Sequence, residues 1–166
     1  MPTLIESTMF KTSIDIPEKR RVEIIALLNA RLADTLDLKL QTKHAHWNVK
    51  GPQFQQLHEL FDQIAARLEA ASDTIAERVT ALGGTANGTA RQIAAASTLS
   101  EYDLQATDGT EHVKALTSRL AKLAAAVRVA IEESNRLGDV STADLFTEIS
   151  RAADKDLWFL ESHLVG

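Results

Sequence analysis

The sequence predicts an all-α protein: a bundle of four long helices with one long crossover, between the second and third, that contains a short helix. Two observations predict it. The three prolines, Pro2, Pro17 and Pro52, all fall in the first third of the chain, and most glycines sit at Gly51, Gly83, Gly84, Gly88 and Gly138, so the strongest helix breakers leave four long stretches intact. Within those stretches apolar residues recur every three or four positions, the spacing that gathers side chains on one face of a helix.

Pro17 opens the first helix, which carries Val22, Ile25, Leu28, Leu32, Leu36 and Leu40, runs to about Asn48 and is broken by Gly51-Pro52. The second carries Phe54, Leu57, Phe61, Ile64, Leu68, Ile75, Val79 and Leu82 and stops at Gly83-Gly84. From Thr85 to about Asp108 the pattern is that of a connection, with a short helix around Ala90 to Ala96. Val113, Leu116, Leu120, Leu123, Val127 and Ile131 mark the third long helix, which ends near Gly138. The fourth begins at Ser141, whose hydroxyl can cap it with Asp144 three residues on, and continues through Leu145, Ile149, Leu157 and Leu160. Short connections make neighbouring helices antiparallel, whereas the link between the second and third is long enough to cross the bundle. Residues 1–16 are expected to be a flexible tail, and residues 17–166 to form the domain.

Composition narrows the chemistry. A chain of 166 residues with 45% hydrophobic and 25% charged residues is sized and balanced for one soluble domain. No long uninterrupted apolar run and no secretory layout at the start are present, so a cytoplasmic protein without a membrane partner is expected. The absence of cysteine excludes disulfides and thiolate metal sites, and leaves His, Asp and Glu to hold any metal. A net charge of −5 opposes a sequence-independent grip on DNA. The first 16 residues set Lys11 against Glu6 and Asp15, and only Lys19, Arg20 and Arg21 follow as a small basic cluster. DNA binding is therefore expected to be weak or absent.

The second helix carries the most informative pattern. His58 and Asp62 are four residues apart, as are Asp73 and Glu77, so each pair projects from one face and can pinch a cation. At about 100° per residue, the apolar positions fill a stripe of roughly 80°, and the four polar residues form a second stripe roughly 140° away, facing outward. Asp62 and Asp73 are separated by about 16 Å along the axis, too far to share a metal within one chain. Two chains resolve this. With the second helix antiparallel to its copy across a two-fold axis near Arg67 and Leu68, His58 and Asp62 of one chain meet Asp73 and Glu77 of the other, twice per dimer. His46, at the end of the first helix, is placed to add a fifth ligand. Two imidazoles and three carboxylates suit Fe(II) or Mn(II), with Zn(II) able to compete. The intrachain di-iron alternative needs Glu-x-x-His pairs, which this sequence lacks.

The stretch from Lys43 to Gly84, with its His-x11-His-x3-Asp-x10-Asp-x3-Glu spacing, resembles the signature region of the Dps (DNA-binding protein from starved cells) family, and Gly138 to Leu164 resembles that family's last helix. The resemblance implies a ferritin-like four-helix bundle assembled as a hollow homododecamer. It implies a ferroxidase that oxidises Fe(II), preferentially with hydrogen peroxide, and keeps Fe(III) mineral inside, which would protect DNA from oxidative damage. His46, His58 and Asp62 would come from one subunit, with Asp73 and Glu77 from its two-fold mate. Asp144, and less directly Asp139, would line an acidic iron-entry pore. Trp47, next to His46, would intercept stray oxidising equivalents.

Other polar residues have plainer readings. His44 points to a different side from His46 and is expected in solvent, although an extra metal position there stays open; His112 and His163 are expected to be ordinary. Arg78 is expected in a structural ion pair, and Trp158 in core or interface packing. The competing functions are a cage of the same fold holding zinc or manganese structurally, a nucleoid-compacting module, and a plain helical bundle that would leave the outward polar stripe without a purpose.

Overall fold

The computed structural model describes residues 8–166. Its elements are α1 (Glu18–Asn48), α2 (Phe54–Ala81), α3 (Ala90–Ala96), α4 (Gly109–Arg136) and α5 (Val140–Glu161). The predicted all-α bundle is observed, with the short helix lying in the crossover between α2 and α4. Helix α1 packs along α2, and α4 along α5; α1 also contacts α3 and α4, and α2 contacts α5. None of the described helices is long and apolar enough to cross a membrane.

The core follows the predicted stripes. Leu57, Phe61, Ile64, Leu68, Ile75, Val79 and Leu82 of the second stretch are buried, as are Val113, Leu116, Leu120, Leu123 and Val127 of the third. Helix α1 differs. Val22 and Leu40 are exposed, whereas Ile24, Leu38 and Ala45 are buried. Packing against three other helices widens the buried arc of α1 and shifts it away from the stripe's rim.

Of the expected tail, residues 1–7 lie outside the described residues. Residues 8–16 form no helix, but the Phe10 N–H donates to Gly83 O (2.8 Å), and Met9, Ile14 and Ile16 pack against the core. This close approach requires glycine at position 83: its φ is +91°, and a Cβ there would lie 2.4 Å from the Phe10 carbonyl oxygen. Arg21 completes the joint. Its guanidinium is buried and donates to Leu82 O at the end of α2 (2.7 Å) and to Ile16 O (3.0 Å), satisfying a carbonyl that the helix leaves open.

Polar side chains of α1 and α4 hold the crossover. Asp34, buried, accepts from the Thr98 N–H (2.7 Å) and hydroxyl, and pairs with Arg31 (2.8 Å). Asp37 accepts from the Ser97 hydroxyl, and Arg119 and Lys122 of α4 donate to the carbonyls of Glu101 and Thr98. Tyr102 is buried, and its hydroxyl lies 2.6 Å from Nδ1 of the fully buried His112 on α4. The link ends beside the α1–α2 turn, where the Lys50 N–H donates to Thr107 O (3.0 Å).

The start of α5 corrects the expected cap. The residue that caps it is Asp139, not Ser141: the helix begins at Val140, and Asp139 accepts from the Thr142 N–H (2.9 Å). Both Ser141 and Asp144 are exposed. Asp139 is also the partner of Arg78 on α2, which reaches both carboxylate oxygens (2.9 and 3.0 Å). Burial pushes the Asp139 carboxyl upward, but the Thr142 hydroxyl and N–H and the Arg78 guanidinium outweigh it and hold the group below the usual carboxylate range. Its stabilising charge is therefore present above the unfolded value and lost only as pH falls through the lower folded one.

Two predictions follow from this packing. Asp139→Ala removes a cap and strands a mostly buried guanidinium, so urea denaturation should show a loss of about 3 kcal/mol, whereas exposed Asp144→Ala should stay within about 0.5 kcal/mol of the parent. Burial holds His112 below the ordinary imidazole value of 6.5. The unfolded chain then takes up a proton that the folded one refuses, so stability falls as pH drops below 6.5 until the folded value is reached. Melting curves between neutral and mildly acidic pH should show this slope, and His112→Gln should flatten it.

Candidate functional site

The turn 49–53 brings the end of α1 against the start of α2, with Val49 buried beneath it. His46 and His58 face each other across this junction as parallel rings, 3.8 Å between centroids and 17° between planes. Each ring is tied to the other's backbone: His46 Nδ1 lies 2.7 Å from His58 O, and His58 Nδ1 lies 2.7 Å from His46 O. A carbonyl oxygen only accepts, so both Nδ1 atoms carry hydrogen. In the neutral rings the free lone pair is therefore on Nε2. This is how a protein orients metal-binding imidazoles, with one nitrogen donating to the backbone and the other left for the ion. Phe54, in the first turn of α2, stacks on the far side of His58 (5.0 Å).

Asp62, one turn beyond His58 on α2, completes the cluster: its Oδ1 lies 3.9 Å from His46 Nε2. The same oxygen accepts from Lys43 Nζ (2.7 Å). That hydrogen bond, with smaller attractions from Lys43, His46 and His58, holds the Asp62 carboxyl below its ordinary value against the opposing effect of desolvation. Lys43 also lies over the exposed ring of Trp47, 5.6 Å from its centroid. Trp47 thus touches the ammonium group that bridges to Asp62.

Three of the five predicted ligands are brought together. Asp73 and Glu77 are not part of this group; both are exposed, about three and four turns beyond Asp62 along α2 and on its outward side. Among the described residues, no set of three or more His, Asp or Glu side chains is assembled closely enough to hold an ion within one chain. Asp144 is exposed just past the first turn of α5. Asp139 is 2% exposed, paired with Arg78 and engaged in the helix cap. His44 is half-buried with its ring edge-on to Tyr102 (5.2 Å), not in open solvent. His163 is exposed, as is Trp158, which meets Phe159 edge-on and is not in the core of the chain.

Sequence reasoning missed Lys43 and Phe54 as neighbours of the site. A signal for Lys43 existed: it precedes Trp47 by four residues on α1, so the two share a face. The His58 and Asp62 ends of their contacts belong to another helix and leave no local trace.

Comparison with known proteins places this arrangement in a family. Residues 25–166 match the ferritin-like domain model. The DNA protection during starvation protein of Agrobacterium fabrum is 45% identical over 154 residues, covering 93% of this chain and 95% of the relative. Among solved structures, Mycobacterium smegmatis Dps superposes with a TM-score of 0.91 at 29% identity, covering 96% of each chain. Vibrio cholerae Dps, described as a member of a broad superfamily of ferritin-like diiron-carboxylate proteins, superposes with a TM-score of 0.88 at 25% identity over 95% of this chain and 99% of its own. With the family model matching residues 25–166 and a relative 45% identical over 93% of the chain, the chain belongs to the ferritin-like family and, within it, to the DNA protection during starvation (Dps) proteins.

Proposed function

We propose that this protein stores and detoxifies iron, oxidising Fe(II) at sites shared between two subunits and retaining Fe(III) mineral inside a hollow cytoplasmic dodecamer. The observation that carries the reading is the pair of imidazoles locked with both Nε2 lone pairs free beside Asp62, on a helix that presents two further carboxylates, Asp73 and Glu77, beyond the reach of the same ion. A two-fold mate supplies them: α2 antiparallel to its copy brings Asp73 and Glu77 of one chain to His46, His58 and Asp62 of the other. Membership of the family with the Vibrio cholerae protein, described as diiron-carboxylate, supports iron as the substrate.

The chain's own residues define the steps. His46, His58 and the carboxylates bind and orient Fe(II); anionic oxygen ligands stabilise Fe(III) more than Fe(II) and so lower the cost of its oxidation. Hydrogen peroxide, as second substrate, takes the electrons at the site, and Trp47 intercepts oxidising equivalents that stray. Lys43 fills the cation's place at Asp62 and must leave when Fe(II) arrives. Asp144, exposed near the start of α5, lines the acidic iron-entry pore, and Asp139, held by Arg78 at the cap of the same helix, contributes less directly. DNA binding is weak: Arg21 of the small basic cluster is buried against Leu82 and Ile16, so it is not available to a phosphate. Zn(II) and Mn(II) fit the same donors and would compete with Fe(II).

Anaerobic loading with Fe(II) followed by peroxide, with stoichiometry and particle size measured together, tests the reading. Rapid peroxide consumption by a large particle is expected; a metal-free monomer that consumes none would end it. Sharing between subunits has its own test. Asp62→Ala and Glu77→Ala should each lose activity, and co-assembling the two should restore about a quarter of the sites, because half of randomly mixed dimers carry one intact site of two. A site built within one chain would stay dead in the mixture. Lys43→Gln should tighten Fe(II) binding roughly two- to fivefold in titrations at low iron, the range expected for freeing a solvent-exposed ion pair.

A further inference from the structure

Tyr102 and His112 are unusual for a buried pair. The Tyr102 hydroxyl and His112 Nδ1 are 2.6 Å apart, the two rings lie nearly parallel with centroids 5.8 Å apart, and His112 is 0% exposed. Its other nitrogen, Nε2, is buried without a partner among the described residues. The tautomer follows from counting partners. Were Nδ1 to donate, the phenol hydrogen and Nε2 would both be stranded; with the phenol donating to Nδ1, only the Nε2–H is. The second arrangement leaves fewer buried polar groups unsatisfied and is the one the protein adopts.

We propose that Tyr102 and His112 form a buried proton-coupled electron relay that traps one-electron oxidants escaping from the iron site. The proposal deepens the iron and peroxide reading and rests on it only for the source of the oxidant. Fe(II) that gives a single electron to peroxide releases hydroxide and a hydroxyl radical. The radical takes one electron from Tyr102 and becomes hydroxide, while the phenol's own proton moves along the hydrogen bond to His112 Nδ1. The products are a neutral tyrosyl radical and an imidazolium. His44 links the two places: its ring meets Tyr102 at 5.2 Å, and it stands two residues before His46 on α1.

Burial gives the pair its properties. Burial raises the Tyr102 phenol far above its ordinary value despite Arg119 lying over the ring (5.4 Å), so the phenol does not simply ionise; its proton leaves only with an electron, and only to His112. Burial equally makes His112 a weak base, which reserves the relay for strong oxidants. With no partner for Nε2 among the described residues through which to pass a proton onward, the proton taken up at Nδ1 stays beside the radical. It returns when an electron arrives from a further Fe(II), which becomes Fe(III) and resets the pair.

Tyr102 is the only tyrosine in the chain, so any tyrosyl radical is assigned without ambiguity. The assembled protein, freed of iron, is flash-oxidised with tris(bipyridine)ruthenium(III), and in parallel the iron-loaded protein is given peroxide and freeze-quenched; both are read by electron paramagnetic resonance. A tyrosyl signal is expected in both arms and should vanish in Tyr102→Phe. His112→Gln keeps a hydrogen-bond acceptor but cannot take the proton, so radical formation should slow by about a hundredfold, the contribution of a positioned proton acceptor. If that variant does not assemble, double-resonance spectra of the parent in heavy water should show an exchangeable deuteron hydrogen-bonded to the tyrosyl oxygen. No tyrosyl signal in the ruthenium arm, an unchanged rate in His112→Gln, or no such deuteron overturns the relay. A signal with ruthenium but none with iron and peroxide, while peroxide is consumed, overturns its link to the iron reaction. A ruthenium signal in a protein that consumes no peroxide supports the relay and refutes the iron reading instead.

Discussion

The two imidazole–carbonyl contacts between His46 and His58 govern the site. They join the last turn of α1 to the first turns of α2, fix both tautomers and stack the rings, so that two helix ends become one rigid donor surface. A lone histidine on a helix has two tautomers and several rotamers. Here each ring is restrained by the backbone that carries the other, so moving one disturbs both. Asp62 then needs only its place on the next turn of α2 to face the same space.

The polar groups of this protein divide by burial. Asp34, Asp139 and Arg21 are buried and spend their hydrogen bonds on the chain itself, closing helix ends and fastening the crossover and the segment before α1. Asp62, Asp73 and Glu77 are exposed. A buried carboxylate without partners would be costly, so the inward ones are paired. The outward carboxylates face no such constraint and can be left for an ion and a neighbouring subunit. Of these three, Asp62 is the one already neutralised within the chain, by Lys43.

The crossover is more than a tether. It is fixed to α1 through Asp34 and Asp37, to α4 through Tyr102 and His112, and to the α1–α2 turn through Lys50 and Thr107. It therefore returns to the same end of the bundle as His46 and His58, and places the chain's one phenol within contact of His44. Bundle topology, by carrying the link back to this end, brings an oxidisable side chain near the proposed iron chemistry.

What the sequence by itself determined was local and periodic. The bounds of α2 and α3, the buried face of α2 and the outward setting of Asp62, Asp73 and Glu77 all follow from the angular spacing of residues on one helix, and proline and glycine mark where such spacing stops. Tertiary structure decided everything that joins residues distant in the chain. It chose Asp139 over Ser141 as the cap because Arg78, on another helix, reaches that carboxylate. It turned Arg21 inward because the end of α2 offers an open carbonyl, moved the buried arc of α1 away from Val22 and Leu40 because three helices pack on it, and seated Lys43 on Asp62. It also paired Tyr102 with His112, which looked ordinary as an isolated histidine. Each of these depends on which elements become neighbours, and helical periodicity specifies a face without naming what will lie against it.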